Sequence, residues 1–179
     1  DDKNLKQLFV PFAKEELVNQ TSSEEVLKTN ELLTEYKIQV NPREINLFYI
    51  EDNLRERIVF EDNTYKVLNT NYTFSESEIL AELENHPEKF SPNAVLRPAY
   101  QETIMPNLAY VGGNAEIMYW IELKDYFESI NLPFPILIPR NSMLFLEQKT
   151  MGKIEKAGLS IKDFFGNFAE VINQKILDN

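Results

Sequence analysis

The sequence predicts an α/β fold in which a parallel strand pair is attached to a helix-plus-β-hairpin region. Three observations predict it. An apolar run, Leu108 to Val111, stops at Gly112-Gly113, a helical pattern follows at once, and a second apolar run spans Pro135 to Pro139. Strand, helix, strand in that order favours a right-handed βαβ unit with parallel strands. Earlier, β-rich runs at 57–60 and 65–68 flank Glu61-Asp62-Asn63-Thr64, the signature of a β-hairpin. Finally, Ser/Glu and Ser/Asp pairs three residues apart recur as helix-start signals.

Taken in order, residues 4–36 read as two helices. Pro11 suits the first turn of a helix running toward Val18, and Ser22 with Glu25 makes a capping box for the next, which carries Val26, Leu27, Asn30 and Leu33 on one side. Asn41-Pro42 ends that pattern, and Leu47 to Ile50 reads as a buried strand. After the hairpin, Ser75 and Glu78 cap a helix that stops near His86-Pro87. Leu96-Arg97-Pro98 leads into a short helical turn, with Arg97 expected to be extended because a proline follows it. One helix is expected from Asn114 to about Asn131, and a further strand from Met143 to Glu147. Lys156-Ala157-Gly158-Leu159 looks like a glycine C-cap, and Ser160 with Asp163 starts the last helix. The chain opens on Asp1 rather than Met and stays helical in pattern to Asn179, so it reads as a piece of a longer protein.

Bulk properties narrow the function. The 179 residues suffice for one full core, or a core plus an appendage. With 29 acidic and 18 basic residues the net charge is −11, which disfavours nucleic acid or an anionic membrane surface as partner. No apolar run is long enough to span a bilayer. The absence of cysteine excludes disulfides and thiolate metal sites from these residues and fits a cytoplasmic protein. His86 is the one histidine and reads as a capping residue at a helix end, so no His-based triad or multi-histidine metal site is expected.

The candidate functional residues cluster in the second half. A strand that turns into a helix through Gly112-Gly113 offers helix N-terminal N–H groups to an anion or a nucleotide phosphate, although the spacing matches neither G-x-G-x-x-G nor a P-loop. Close backbone approach or a positive φ would explain the glycines. Glu116 shares a helical stripe with Trp120, Leu123 and Phe127, opposite Glu122, Asp125 and Ser129. It either complements the helix dipole or binds a substrate amine or hydroxyl. Arg97, with Tyr100 and Gln101 on the next turn, suits a carboxylate or phosphate in a bidentate fork; the plainer reading is an ion pair. Arg140-Asn141 follows the second strand, at the edge where open α/β sheets bind ligands, or else merely ends it. Arg55 and Arg57 read as a solvated strand face.

Several motifs together resemble one family. They are Ser91-Pro92-Asn93, Leu96-Arg97-Pro98-Ala99-Tyr100-Gln101-Glu102, the run Pro106 to Gly113, Glu116 with Tyr119-Trp120, the run Asn41 to Tyr49, and Pro133-Phe134-Pro135-Ile136-Leu137. The chain resembles, over essentially its whole length, the cysteine-adding enzyme of bacillithiol biosynthesis. That resemblance implies a partial Rossmann-like parallel sheet, an inserted helix-plus-β-hairpin region and the start of a helical coiled-coil arm. The expected divisions are 1–90 (inserted helices and hairpin with one core strand), 91–148 (core segment) and 149–179 (helices leading to the arm). It further implies a parent ligase that joins cysteine to glucosaminyl-malate, with ATP or ADP as cofactor, a homodimer, and a fragment inactive alone. Arg97, Tyr100, Gln101, Gly112, Gly113, Glu116, Arg140 and Asn141 are the expected binding residues, with no catalytic residue assigned. The rival expectation is a non-catalytic binding or assembly module in which these residues only hold the fold.

Overall fold

Phe9, Ala13 and Leu17 recur at helical spacing, and they form the buried face of α1 (Lys3–Asn19) in the computed structural model, which describes residues 2–177. Asp2 caps α1 by accepting from Leu5 N–H at 3.1 Å, so the helix starts well before Pro11, which lies inside it instead of in its first turn. Gln7, whose carbonyl Pro11 leaves without a donor, is exposed, where water can serve it. Gln20, at φ 55°, turns the chain into α2 (Thr21–Leu32). The expected capping box at Ser22 and Glu25 does not form: the Ser22 hydroxyl donates to Glu16 at 2.8 Å instead.

Five antiparallel strands follow: β1 (Leu47–Glu51), β2 (Leu54–Glu61), β3 (Thr64–Val67), β4 (Thr73–Phe74) and β5 (Phe90–Pro92), in the order β4-β3-β2-β1-β5. The expected hairpin is β2–β3. Its turn residues Asp62 (φ 54°) and Asn63 (φ 58°) both adopt the left-handed conformation that a tight two-residue hairpin requires. Arg55, exposed as expected, lays its guanidinium 3.8 Å from the Phe48 ring centre. Between β4 and β5 runs α3 (Glu76–Asn85), opened by the Ser75–Glu78 capping box and closed at His86. Lys89 ties β1, α3 and β5 together, donating to Glu82 at 2.8 Å, Glu51 at 3.0 Å and the Tyr49 hydroxyl at 3.3 Å.

α4 (Arg97–Ile104) then leads to β6 (Ala109–Gly112), α5 (Asn114–Ile121), α6 (Lys124–Ser129) and β7 (Ile136–Pro139). Arg97 is helical, not extended. Asn93 Oδ1 accepts from Val95 N–H at 2.8 Å and its carbonyl accepts from Arg97 N–H at 2.9 Å, so the turn is already wound before Pro98. β6 and β7 are parallel neighbours in the register Ala109↔Ile136, as the strand–helix–strand order predicts. The single helix expected over 114–131 is broken at Glu122–Leu123, because Glu122 is fully buried and claimed by backbone elsewhere. Its carboxylate accepts from the N–H groups of Gln39 at 2.8 Å and Val40 at 3.0 Å.

The chain divides into two units, residues 1–140 and 141–179. The core of the first joins α1, α3 and the antiparallel sheet to Trp120, Leu123, Tyr126 and Phe127. The second contains α7 (Gln148–Lys156), a 3-10 turn at Ile161–Phe165 and α8 (Phe168–Leu177). The strand expected at Met143 to Glu147 does not form: among the described residues this stretch has no partner strand, and Met143, Leu144, Leu146, Ile154, Phe164 and Phe165 line an apolar groove. Gly158, at φ 65°, follows the end of α7 as a C-cap glycine does, and Ser160 with Asp163 caps the 3-10 turn rather than the last helix.

The polar centre of the first unit is Glu16, 1% exposed. It accepts from the Ser22 hydroxyl and Asn46 N–H, both at 2.8 Å, from Asn46 Nδ2 at 3.0 Å and from Ser22 N–H at 3.3 Å. Glu16→Ala orphans these donors, and each unmet buried group costs ~1–3 kcal/mol, so the loss should be on the order of 3 kcal/mol in denaturant unfolding. Burial raises the Glu16 pKa above its ordinary 4.5, against the pull of its donors. A raised folded-state value means that the unfolded chain loses this proton first. The stability Glu16 contributes therefore falls as pH climbs from 4.5 through the raised value, and a titration of unfolding free energy on Glu16→Gln should lack that fall.

Candidate functional site

Gly112 and Gly113 end β6 and start α5, and different constraints hold them. A Cβ on Gly112 would lie 2.8 Å from Tyr110 Cε1, 3.2 Å from Glu116 Cβ and 3.3 Å from Ile117 Cδ1, in a buried position. Gly113 has φ −72°, which any residue adopts, so a positive φ is not what its position requires. There a Cβ would meet the Arg140 guanidinium, 3.0 Å from one terminal nitrogen and 3.2 Å from Cζ. Arg140 reaches this place because its N–H donates to Gly112 O at 2.8 Å, extending the parallel ladder by one residue. Among the described residues the exposed Arg140 side chain makes no hydrogen bond or ion pair.

Glu116 is exposed and turns back on its own helix: its Oε2 accepts from Gly113 N–H at 2.8 Å. It therefore caps α5 and complements the positive end of the helix dipole. The next first-turn N–H groups, of Asn114 and Ala115, have no acceptor within the helix. A cation, a helix N-terminus and a carboxylate thus meet at the carboxyl ends of two parallel strands. That set of groups can hold one phosphate or carboxylate, with the second Glu116 oxygen available to a donor such as an amine.

A second polar group lies where α4 meets α5. Arg97 donates to the Tyr119 hydroxyl at 2.7 Å and to Gln101 at 3.2 Å. Burial pushes the Tyr119 hydroxyl up to about 12 despite the opposing pull of Arg97, so it stays a neutral donor at ordinary pH. Tyr119 follows Glu116 by three residues on the same helix face. Tyr100 is not drawn in: its ring packs edge-on against Phe9 at 5.2 Å with Lys6 Nζ 5.0 Å away. Asn141 begins the second unit. Tyr119 is the residue whose part sequence reasoning did not assign; its spacing from Glu116 was the available signal. Among the described residues no group of three or more His, Asp or Glu side chains is arranged to hold a metal ion.

Comparison with known proteins points one way. The family description "Bacillithiol biosynthesis BshC, N-terminal Rossmann-like domain" matches residues 1–141. Three similar proteins, each named "Putative cysteine ligase BshC", span a range of bacteria. The one from Flavobacterium johnsoniae is 56% identical over 173 residues, 97% of this chain and 33% of that protein. The Christiangramia forsetii protein is 47% identical over 177 residues, covering 98% and 33%. The Bacillus thuringiensis protein is 33% identical over 182 aligned positions, covering 98% and 34%. The chain spans about a third of the length of the curated relatives it matches.

The two glycines should respond differently to a methyl group. Gly112→Ala forces the half-buried Tyr110 ring and a helix side chain apart and should cost about 1–3 kcal/mol in chemical or thermal unfolding. Gly113→Ala meets only the far end of a flexible, exposed arginine and should cost less than about 1 kcal/mol. Equal losses at both positions would contradict this geometry.

Proposed function

The chain belongs to the bacillithiol biosynthesis BshC family, and on that premise we propose that its parent polypeptide joins cysteine to glucosaminyl-malate in the last step of bacillithiol assembly. The new bond links the cysteine carboxyl carbon to the glucosamine nitrogen; the carboxyl gives up one oxygen and the amine a proton. ATP is the proposed co-substrate, and when bound it would supply the phosphoryl or adenylyl group that carries that oxygen away. The parent is read as a homodimer working in the cytoplasm on small molecules. The 179 residues alone are read as inactive, because two parallel strands make too small a sheet to enclose both substrates.

One observation carries the site assignment: the Arg140 guanidinium rests on Gly113 beside the first-turn N–H groups of α5. Arg140 and those N–H groups take an anionic group, a phosphate or a carboxylate. Glu116 holds the substrate amine through its second oxygen while the first keeps α5 capped. Arg97, positioned by Tyr119 and Gln101, takes a further carboxylate, for which malate provides two. These charged groups suit the phosphate end of a nucleotide. The second reading takes the same cover of Gly113 by Arg140 as a non-catalytic assembly role, in which the arginine merely closes the junction.

The two readings separate in the full-length protein, assayed for bacillithiol from cysteine, glucosaminyl-malate and ATP. Arg140→Ala should lower kcat/KM by about tenfold or more with almost no change in melting temperature, since its side chain is exposed. Glu116→Gln should also lose activity, with only about 0.3–1 kcal/mol of stability as the dipole contribution. Unchanged turnover in both variants would leave the assembly reading standing. Product formation by the 179-residue piece alone would overturn its assignment as inactive.

A further inference from the structure

Glu102, buried in the core, orients a pair of donors that nothing in the fold uses up. Its Oε1 accepts from Gln101 Nε2 at 3.3 Å, which leaves the Gln101 side-chain carbonyl toward Arg97. Arg97 donates one N–H to that carbonyl at 3.2 Å and another to the Tyr119 hydroxyl at 2.7 Å. A guanidinium carries five N–H bonds, so three have no acceptor among the described residues. The Tyr119 oxygen is already accepting, and its own proton finds no acceptor among those residues either. Burial keeps that proton on the oxygen at ordinary pH. Accepting from a cation also makes the O–H a stronger donor. Arg97 Nη2 and Tyr119 Oη, 2.7 Å apart, lie close enough together to serve one carboxylate.

Position along α5 says which carboxylate. Tyr119 follows Glu116 by three residues, a rise of about 4.5 Å along the helix axis. The reading above gives the substrate amine to Glu116. In a glycoside of glucosamine the amine and the glycosidic oxygen sit on adjacent ring carbons. A malate carried on that oxygen therefore lies within reach of a group one helical turn from the amine. Arg140 and the first-turn N–H groups lie at the opposite, N-terminal end of α5, so an anion held there does not compete for the same place. We propose, on the reading that Glu116 holds that amine, that Tyr119 donates its hydroxyl proton directly to a malate carboxylate of glucosaminyl-malate, with Arg97 on the same carboxylate. The pair then selects a carboxylate-bearing glycoside over plain glucosamine, and Tyr119 is a binding residue in its own right as well as a support for Arg97. The plainer role for the hydroxyl is to pin α4 to α5 through Arg97.

Tyr119→Phe keeps the ring and removes only the hydroxyl, and the full-length parent is the protein to measure. Its kcat/KM for glucosaminyl-malate should fall about tenfold or more, with the loss in KM, while the KM values for cysteine and ATP stay within about twofold. A loss shared by all three substrates would mean that the hydroxyl only pins α4 to α5 and would overturn the proposal. A rise in the KM for cysteine alone would give the pair to the cysteine carboxylate, with the same result. Free malate provides an arm that needs no turnover. Titrated calorimetrically, it should bind Tyr119→Phe and Arg97→Ala about tenfold more weakly than wild type, and Glu116→Gln as tightly as wild type. Malate that fails to bind the wild type, or binds Tyr119→Phe equally well, overturns the contact. Turnover lost in Arg140→Ala and Glu116→Gln but intact in Tyr119→Phe would sink this inference alone. Turnover intact in all three variants, with malate still held through Tyr119, would sink the ligase site and leave the malate contact standing.

Discussion

A buried carboxylate organises the first unit. Glu16 lies on the apolar face of α1, where an unpaired charge would be prohibitive, so it needs donors, and the chain supplies them from segments far apart in sequence. Ser22 brings α2 and Asn46 brings the approach to β1. Asn46 passes the constraint on: its side-chain oxygen accepts from Asn93 at 2.7 Å and its carbonyl from Asn93 N–H at 3.0 Å. Asn93 in turn caps the turn that starts α4, the helix that carries Arg97. A continuous chain of hydrogen bonds thus runs from the first helix of the protein to one of its candidate binding residues.

The same device recurs twice nearer the strand pair. Glu102, 3% exposed, accepts from Asn107 N–H at 2.8 Å and Asn107 Nδ2 at 2.9 Å, which sets the loop that enters β6. Glu122 clasps the backbone at residues 39–40 and ends α5 where it does. In each case a carboxylate gathers donors within a core and fixes one loop against one helix. The high acid content is therefore only in part a solvated surface; three acids act as internal fasteners. The candidate site sits at the end of this framework, with its carboxylate and guanidinium groups in water and the elements beneath them locked.

Local features were legible from residue order alone. The Ser75–Glu78 box and the Asp62-Asn63 hairpin formed as read, because each is completed within four residues and needs no distant partner. The Ser22–Glu25 box was equally regular on paper and failed, since Glu16 competes for the same hydroxyl from the preceding helix. Glu122 read as part of an outward polar stripe because periodicity cannot register a demand made by Gln39 and Val40, over 80 residues away. At the site, Gly112-Gly113 was visible as a sharp strand-to-helix turn. Why each glycine is needed was not, because Tyr110 and Arg140 reach them only through packing and strand pairing.

The sequence by itself determined the strand–helix–strand order, the hairpin, the helix starts at Ser75 and Asn114 and the family, all properties of residues close along the chain or of their order. Tertiary structure alone decided the order of the antiparallel sheet, the break after α5, the fate of the three buried acids and the meeting of Arg140 with Gly113. The physical reason is the same throughout. A turn or cap is satisfied by its neighbours, whereas a buried charge or a sheet edge takes whatever partner the rest of the fold brings within about 3 Å.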